Sequence, residues 1–227
     1  MQQEAPAEAQ RLLASTAQRG RANDMGQQNA RGRLLGLAAA SLPRLASVAK
    51  TLLLYSTNYG LSKKICETIQ ASLAKRGEGA EVVPLVGHTV DPKVYDAIVI
   101  GASIRHGKHS PAVLEFIRAN QPLLESKPGA LFSVNLVARK PLKNTPQTNP
   151  YLKRLVAQSP WKPQLLGVFA GELDYSRYGP VDKHMMRFVM WINKGPTDFA
   201  TKVQFTNWEE VERFAGQVAQ LAAGRNA

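Results

Sequence analysis

The residues of this chain best suited to chemistry stand in three short runs, each following an apolar stretch. The first, Ser56-Thr57-Asn58-Tyr59-Gly60-Leu61-Ser62, is a hydroxyl-rich turn with one glycine, leading into a helical pattern. Backbone N–H groups at a helix N-terminus, joined by Ser and Thr hydroxyls, can hold a terminal phosphate without a lysine. The run is neither a Walker A sequence nor G-x-G-x-x-G, which disfavours nucleoside triphosphates and the usual dinucleotide fingerprint. A turn in which Ser56 and Ser62 only cap the chain accounts for the same letters, and the run alone does not separate the two readings.

The second run is Gly101-Ala102-Ser103-Ile104-Arg105-His106-Gly107-Lys108-His109, and the third begins at Ser133-Val134-Asn135 and continues through Leu136-Val137-Ala138-Arg139-Lys140. One phosphate-like loop and two loops of small and hydrogen-bonding residues suit a mononucleotide with a flat ring, for which flavin mononucleotide (FMN) is the natural candidate. The phosphate falls to Ser56–Ser62. The ring falls between Ser103, Ile104 and Arg105 on one side and Leu131, Phe132, Ser133, Val134 and Asn135 on the other. His106 and His109 have no carboxylate near them in sequence, so they read as solvated loop residues rather than proton carriers. Cys66 is the one cysteine, which excludes an intramolecular disulfide and any multi-cysteine metal site. Inside a helical pattern it reads as a small buried hydrophobe.

The elements that must position these loops alternate. Thr51–Ser56 is a short apolar run suited to a buried strand, and Leu61–Arg76 follows with Ile65, Ile69 and Leu73 on one helical face. Glu81–Val86 contains Pro84 and suits an edge strand, whereas Tyr95–Ala102 is a continuous buried run. Pro111–Asn120 is the next helix, Gly129–Asn135 and Leu165–Ala170 the next strands, and Trp208–Leu221 a closing helix. Alternation of this kind predicts an α/β fold with a parallel sheet and helices on both faces. In such sheets ligands sit outside the carboxyl ends of the strands, where the three runs fall. Two stretches break the rhythm: the polar insertion Leu136–Pro150 after the fourth strand, and an amphipathic segment, Val181–Lys194.

Charge supports a ligand edge. The 227 residues carry 29 Lys+Arg against 17 Asp+Glu, a net +12. Residues 50–227 hold 23 of these bases and 14 of the acids. No acid occurs between Asp96 and Glu115 or between Glu125 and Glu172, and the second gap holds Lys127, Arg139, Lys140, Lys143, Lys153, Arg154 and Lys162. An electropositive mouth is therefore expected around the ring, attracting a substrate with carboxylates. No aromatic-interleaved basic array or nucleic-acid motif is present, so nucleic acid is not an expected partner.

The runs Ser56–Ser62 and Ile100–Arg105, and above all Ser133-Val134-Asn135-Leu136-Val137-Ala138-Arg139-Lys140-Pro141 followed by Thr145-Pro146-Gln147-Thr148-Asn149, resemble the oxygen-independent, quinone-linked protoporphyrinogen IX dehydrogenase family of the flavodoxin superfamily. The resemblance covers about Lys50 to Leu221. It implies a flavodoxin-like, doubly wound parallel five-stranded sheet with a basic loop and helix inserted after the fourth strand. It also implies non-covalent FMN, a six-electron oxidation of protoporphyrinogen IX to protoporphyrin IX in haem biosynthesis, and menaquinone or ubiquinone as acceptor. The substrate is an apolar macrocycle with two propionates, for which Arg139, Lys140 and Lys143 are the candidates, with Arg105 behind them. No acid–base residue is carried over. A flavodoxin-type electron carrier and an NAD(P)H:quinone reductase are the alternatives.

A quinone acceptor gives Val181–Lys194 a role, since Val181, Met185, Phe188, Val189 and Ile192 share a face that can rest on a membrane as a peripheral contact. A core-packed helix fits the same pattern. Residues 1–49 read as an extension to a domain at 50–224. Their acid-poor, Arg-containing stretch after Met25 is compatible with a transit peptide or with a plain unstructured extension. The first places the protein in mitochondria, and otherwise the cytoplasmic face of a bacterial inner membrane is expected. A homo-oligomer is compatible with the sequence.

Overall fold

The computed structural model describes residues 49–224. The expected N-terminal extension and its transit-peptide reading lie outside these residues, apart from Ala49. Five strands, β1 (Lys50–Ser56), β2 (Gly79–Pro84), β3 (Ala97–Arg105), β5 (Gly129–Asn135) and β6 (Leu165–Ala170), pair in parallel in the order β2-β1-β3-β5-β6. This is a doubly wound, flavodoxin-like parallel sheet of five strands, as the resemblance implies. The short β4 (Lys108–His109) pairs antiparallel with the end of β3, Ile104 opposite His109. The proline-bearing β2 takes an edge, where the missing N–H of Pro84 leaves no ladder bond unmade on the outer side.

The helices are α1 (Leu61–Ala74), α2 (Pro111–Ala119), α3 (Gln121–Glu125), α4 (Pro150–Gln158), α5 (Pro180–Ile192) and α6 (Trp208–Ala222). Alternation along β1 sends Leu52 and Leu54 to one face of the sheet and Leu53 to the other. The first face packs on Val113 and Ile117 of α2, Leu124 of α3 and Leu152 and Leu155 of α4. The second packs on Ile65, Cys66, Ile69 and Leu73 of α1 and on Val211, Phe214 and Val218 of α6. Cys66 is fully buried there and its thiol is pushed well up by burial, which makes it packing rather than chemistry.

Phe132 shows how tightly the second face is filled. Its ring meets Phe169 and Phe214 edge-on, with centroids 5.4 Å and 6.0 Å away. It also covers Gly101, where an added Cβ would lie 2.1 Å from Phe132 Cζ, so the neighbouring strand admits only glycine there. Burial of a ring of this size contributes about 1.5–3 kcal/mol.

One feature departs from the expected plan. β7 (Glu172–Asp174) and β8 (Lys202–Gln204) form a separate antiparallel pair. Together with α5 they enclose a small third core of Leu173, Tyr175 and Met190. The helix α5 gives Met190, and Met186 in part, to that core and leaves most of its other apolar side chains exposed, so the core-packed reading of this segment holds only for that edge. Val181, Phe188, Trp191 and Ile192 are exposed at 80%, 58%, 69% and 58%. Among the described residues no helix is long and apolar enough to cross a membrane.

Candidate functional site

A cavity of about 380 Å³ opens at the carboxyl ends of β1, β3 and β5. The loop after β1 supplies Thr57, Asn58 and Tyr59, the β3–β4 turn supplies Ser103 to Gly107, and the start of the insertion supplies Val134 to Val137 and Arg139. The fourth wall is α5, through Met185, Met186, Val189 and Met190. Three walls were expected from the sequence. The fourth was expected as a membrane-facing or a core-packed helix, not as part of the site.

The first loop is built around Gly60, whose φ of +93° is left-handed and open to glycine at little cost. Its N–H donates to Thr57 Oγ1 at 2.9 Å, and its carbonyl accepts from Lys64 N at 3.0 Å, starting α1. The next hydroxyl, Ser62 Oγ, is fully buried and has no hydrogen-bond partner. A buried orphan hydroxyl is unfavourable by itself. Ser62 lies in the first turn of a helix that holds no acid there, behind the lining residue Leu61. The simple capping role for Ser62 fails, because α1 has no side-chain cap bond. Asn58 Nδ2 donates to Ser103 Oγ at 3.0 Å and ties this loop to the next. Tyr59 stacks edge-on against Tyr178 at 5.2 Å, and burial pushes the Tyr178 hydroxyl up to about 12.

The third loop is positioned by a buried amide network. Asn135 Nδ2 donates to Ser133 Oγ at 3.1 Å, and Asn135 Oδ1 accepts from Ala138 N and Asn149 Nδ2, both at 3.1 Å. Asn149 Nδ2 also donates to the Lys143 carbonyl at 2.8 Å, and its Oδ1 caps α4 through Tyr151 N and Leu152 N. The S-V-N and T-P-Q-T-N parts of the motif thus close on each other and fold the insertion into two short 3₁₀ turns ahead of α4. The Asn135 side chain borders the cavity with its hydrogen-bonding capacity already used.

Several expected contacts need correction. Leu131 and Phe132 are fully buried in the two cores and line no part of the cavity, because β5 is covered on both faces. Ser133 is also fully buried and is held by His109 Nε2 at 2.9 Å. Ser56, Gly60 and Ser62 shape the first loop without lining the cavity. His109 is therefore no solvated residue, and burial pushes its imidazole down to about 4, which keeps it neutral. His106 has no carboxylate near it in sequence but has one in space: Asp182 Oδ1 stands 3.0 Å from its Nε2.

The electropositive mouth is smaller than the charge count suggested. Lys127 is spent on the backbone carbonyls of Pro92, Lys93 and Tyr95, and Lys162 on those of Val156 and Ser159. Of the seven bases in the second acid-free gap, only Arg139 lines the cavity. Its guanidinium donates to the carbonyls of Leu136 and Asn193 at 3.3 Å and 3.2 Å. Lys140 Nζ donates to Asn193 Oδ1 at 2.8 Å, so both bases pin the C-terminal end of α5, while Lys143 is exposed. At the other end of α5, Asp182 pairs with Arg105 at 3.0 Å as well as with His106. These hydrogen bonds, from His106 first and Arg105 second, hold the Asp182 carboxyl below the usual carboxylate range. Sequence reading missed Asp182, Asn193 and Tyr178; the one available signal was a lone acid, Asp182, in the first turn of an amphipathic segment.

Residues 52–200 match the family described as "Flavodoxin domain". Over 175 residues the chain is 41% identical to the "Protoporphyrinogen IX dehydrogenase [quinone]" of Escherichia coli (strain K12), covering 76% of this chain and 96% of that protein. The protein of the same name from Leishmania major is 41% identical over 174 residues, which cover 76% and 75% of the two chains. Among solved structures, a two-electron reduced Megasphaera elsdenii flavodoxin is similar with a TM-score of 0.47 and 14% identity, covering 75% of this chain and 98% of that one.

Proposed function

This chain belongs to the flavodoxin-domain family of quinone-linked protoporphyrinogen IX dehydrogenases, and from that premise we propose that it oxidises protoporphyrinogen IX to protoporphyrin IX, a six-electron dehydrogenation in haem biosynthesis, and passes the electrons to a membrane quinone. The observation that carries the reading is the cavity at the carboxyl edge of the sheet, walled by Thr57, Asn58 and Tyr59 of the first loop and by the loops after β3 and β5. Thr57 and the first N–H groups of α1 would hold the phosphate of FMN, with the unpartnered Ser62 hydroxyl of the same turn as a further donor. Ser103 to Arg105 and Val134 to Val137 would flank the ring. When bound, the flavin supplies the acceptor for hydrogen and electrons leaving the substrate.

The chain's own residues do the rest. Met185, Met186, Val189 and Met190 give an apolar wall that suits the macrocycle and excludes water. Arg139 carries the positive charge of the insertion into the cavity and is the base best placed for a propionate. Arg105 shares Asp182 and offers less net charge to an anion. The exposed face of α5 backs directly onto the cavity wall, so this helix resting in an interface would set the cavity mouth at the depth where quinone dissolves. We therefore place the protein peripherally on a membrane, on the cytoplasmic face of the inner membrane if it is bacterial.

The test is an anaerobic assay of FMN-loaded protein with protoporphyrinogen IX and menaquinone. Porphyrin fluorescence should rise well above the autoxidation control, and a flavin-loaded protein that gives none would sink the proposal. An electron carrier has no need of the Asn135–Asn149 closure, so deleting the insertion would spare a carrier's electron transfer and abolish the dehydrogenase.

A further inference from the structure

Oxidation of one methylene bridge of a porphyrinogen removes a carbon-bound hydrogen with its electron pair and a proton from a pyrrole N–H. Something must take the proton. The groups around the cavity narrow the choice. Glu172 is held by Arg177 at 2.6 Å, and burial raises the Tyr178 hydroxyl far above neutrality. His109 does not line the cavity, and its ring is bonded to Ser133. His106 does line it, half-exposed, at the tip of the β3–β4 turn.

The geometry around His106 matches that of a held base. Asp182 on α5 takes its Nε2 at 3.0 Å, which fixes the proton on that nitrogen and leaves Nδ1 as the free acceptor. Arg105 at the end of β3 binds the other oxygen of the same carboxylate and locks its orientation. Lys108 on β4 is paired opposite Arg105, and Tyr151 from α4 stands beside Gly107. The backbone is unusual too. His106 has φ +48° and Gly107 has φ +75°, so a non-glycine residue is held in a left-handed turn. Gly enters this region freely, and Asn and His are among the few other residues that do so.

Resting on the function proposed above, we propose that His106 is the proton acceptor of the dehydrogenation, with Asp182 as the residue that positions it. In each two-electron step a methylene C–H bond breaks and its hydrogen and electron pair would pass to the bound flavin. In two of the three steps a pyrrole N–H bond breaks, its proton goes to His106 Nδ1 and its electron pair completes the new double bond; in the third the proton comes instead from the remaining methylene C–H, so that four hydrogens leave carbon, two leave nitrogen and two N–H groups stay. His106 then releases the proton to the solvent it already meets.

The test compares wild type, His106→Asn and Asp182→Asn, each as FMN-loaded full-length protein, in the anaerobic assay across pH. Asn suits the left-handed turn, so His106→Asn retains the hairpin. Its kcat/KM should fall about 100-fold or more, with loss of the acid limb of the pH profile. Asp182→Asn should lower the plateau and shift the His106 tautomer ratio toward a protonated Nδ1, read by ¹⁵N-histidine labelling. Flavin affinity, read by fluorescence quenching, should stay within about twofold of wild type in both variants. In wild-type protein labelled with ¹⁵N-histidine, His106 should show a protonated Nε2 and a bare Nδ1 without any turnover. The proposal is overturned by a His106→Asn variant that keeps the wild-type rate, by a fall in rate with an unchanged pH profile, by a parallel loss of flavin affinity, or by the opposite tautomer. A wild type that makes no porphyrin would instead remove the function on which the proposal stands.

Discussion

Asn149 Nδ2 donates to Asn135 Oδ1 at 3.1 Å while Asn135 Nδ2 faces Asn149 Oδ1 at 3.4 Å, so two amides 14 positions apart satisfy each other in a buried site. This exchange brings Arg139 to the cavity, because the intervening chain has no strand or long helix to shape it. The polar insertion is thus held by a buried pair rather than by apolar packing of its own.

Replacing Asn149 with Ala removes a helix cap, takes the side-chain donor from the Lys143 carbonyl and leaves Asn135 Oδ1 with one of its two donors, Ala138 N. A loss of about 2–4 kcal/mol is expected, read as a lower urea midpoint with an unchanged slope. Asn149→Ser keeps a cap acceptor and should recover about 1 kcal/mol of it. Combining Asn135→Ala with Asn149→Ala should cost less than the sum of the two single changes.

Ser62→Ala separates a ligand role from a packing role. The hydroxyl has no partner in the protein, so flavin-free stability should be unchanged or slightly higher after substitution. FMN affinity should weaken by about 10- to 100-fold, the range for a hydrogen bond to a charged group. A titration of the flavin-free protein with FMN gives both values in one experiment.

His109 makes stability depend on pH. Its folded value near 4 lies below the ordinary 6.5, so between these two values the unfolded chain binds more protons than the folded one. Stability should then rise with pH across that window and level off above about 6.5, with up to about 3 kcal/mol lost on acidification through it. In His109→Gln the slope of melting temperature against pH between 4 and 6.5 should flatten.

Phe188 and Trp191 lie outside the cavity wall on the exposed face of α5, their rings 6.1 Å apart. Changing both to Glu should reduce co-sedimentation with phosphatidylglycerol-containing vesicles at least tenfold, with turnover of a water-soluble quinone kept within about twofold. Unchanged vesicle binding would move the membrane contact elsewhere on the protein.

The parts that were legible in the sequence are those with a local cause. β5 and β6 begin and end where their apolar runs do, since both faces of a parallel strand are buried, and Gly60 marked the first loop through its conformational freedom. β7 and β8 were missed because three residues show no period. The histidines were misread because the Asp182 partner of His106 lies 76 positions away, and His109 is buried by a hairpin of only two paired positions. The basic gap was overread for a related reason. Acid-free sequence is a one-dimensional property, while Lys127 and Lys162 find backbone carbonyls in space and Asp182 enters the cavity from another segment.

The bare face of α5 also determines how the protein behaves away from a bilayer. Val181, Phe188, Trp191 and Ile192 are large apolar side chains left exposed on one helix, and two cations of that helix, Lys183 and Arg187, are turned onto the Phe199 ring. In colloidal terms, purified chains should attract one another face to face. That association should grow with concentration, strengthen in ammonium sulfate and dissolve in mild detergent, so the amount of lipid carried through purification determines how much protein stays in solution.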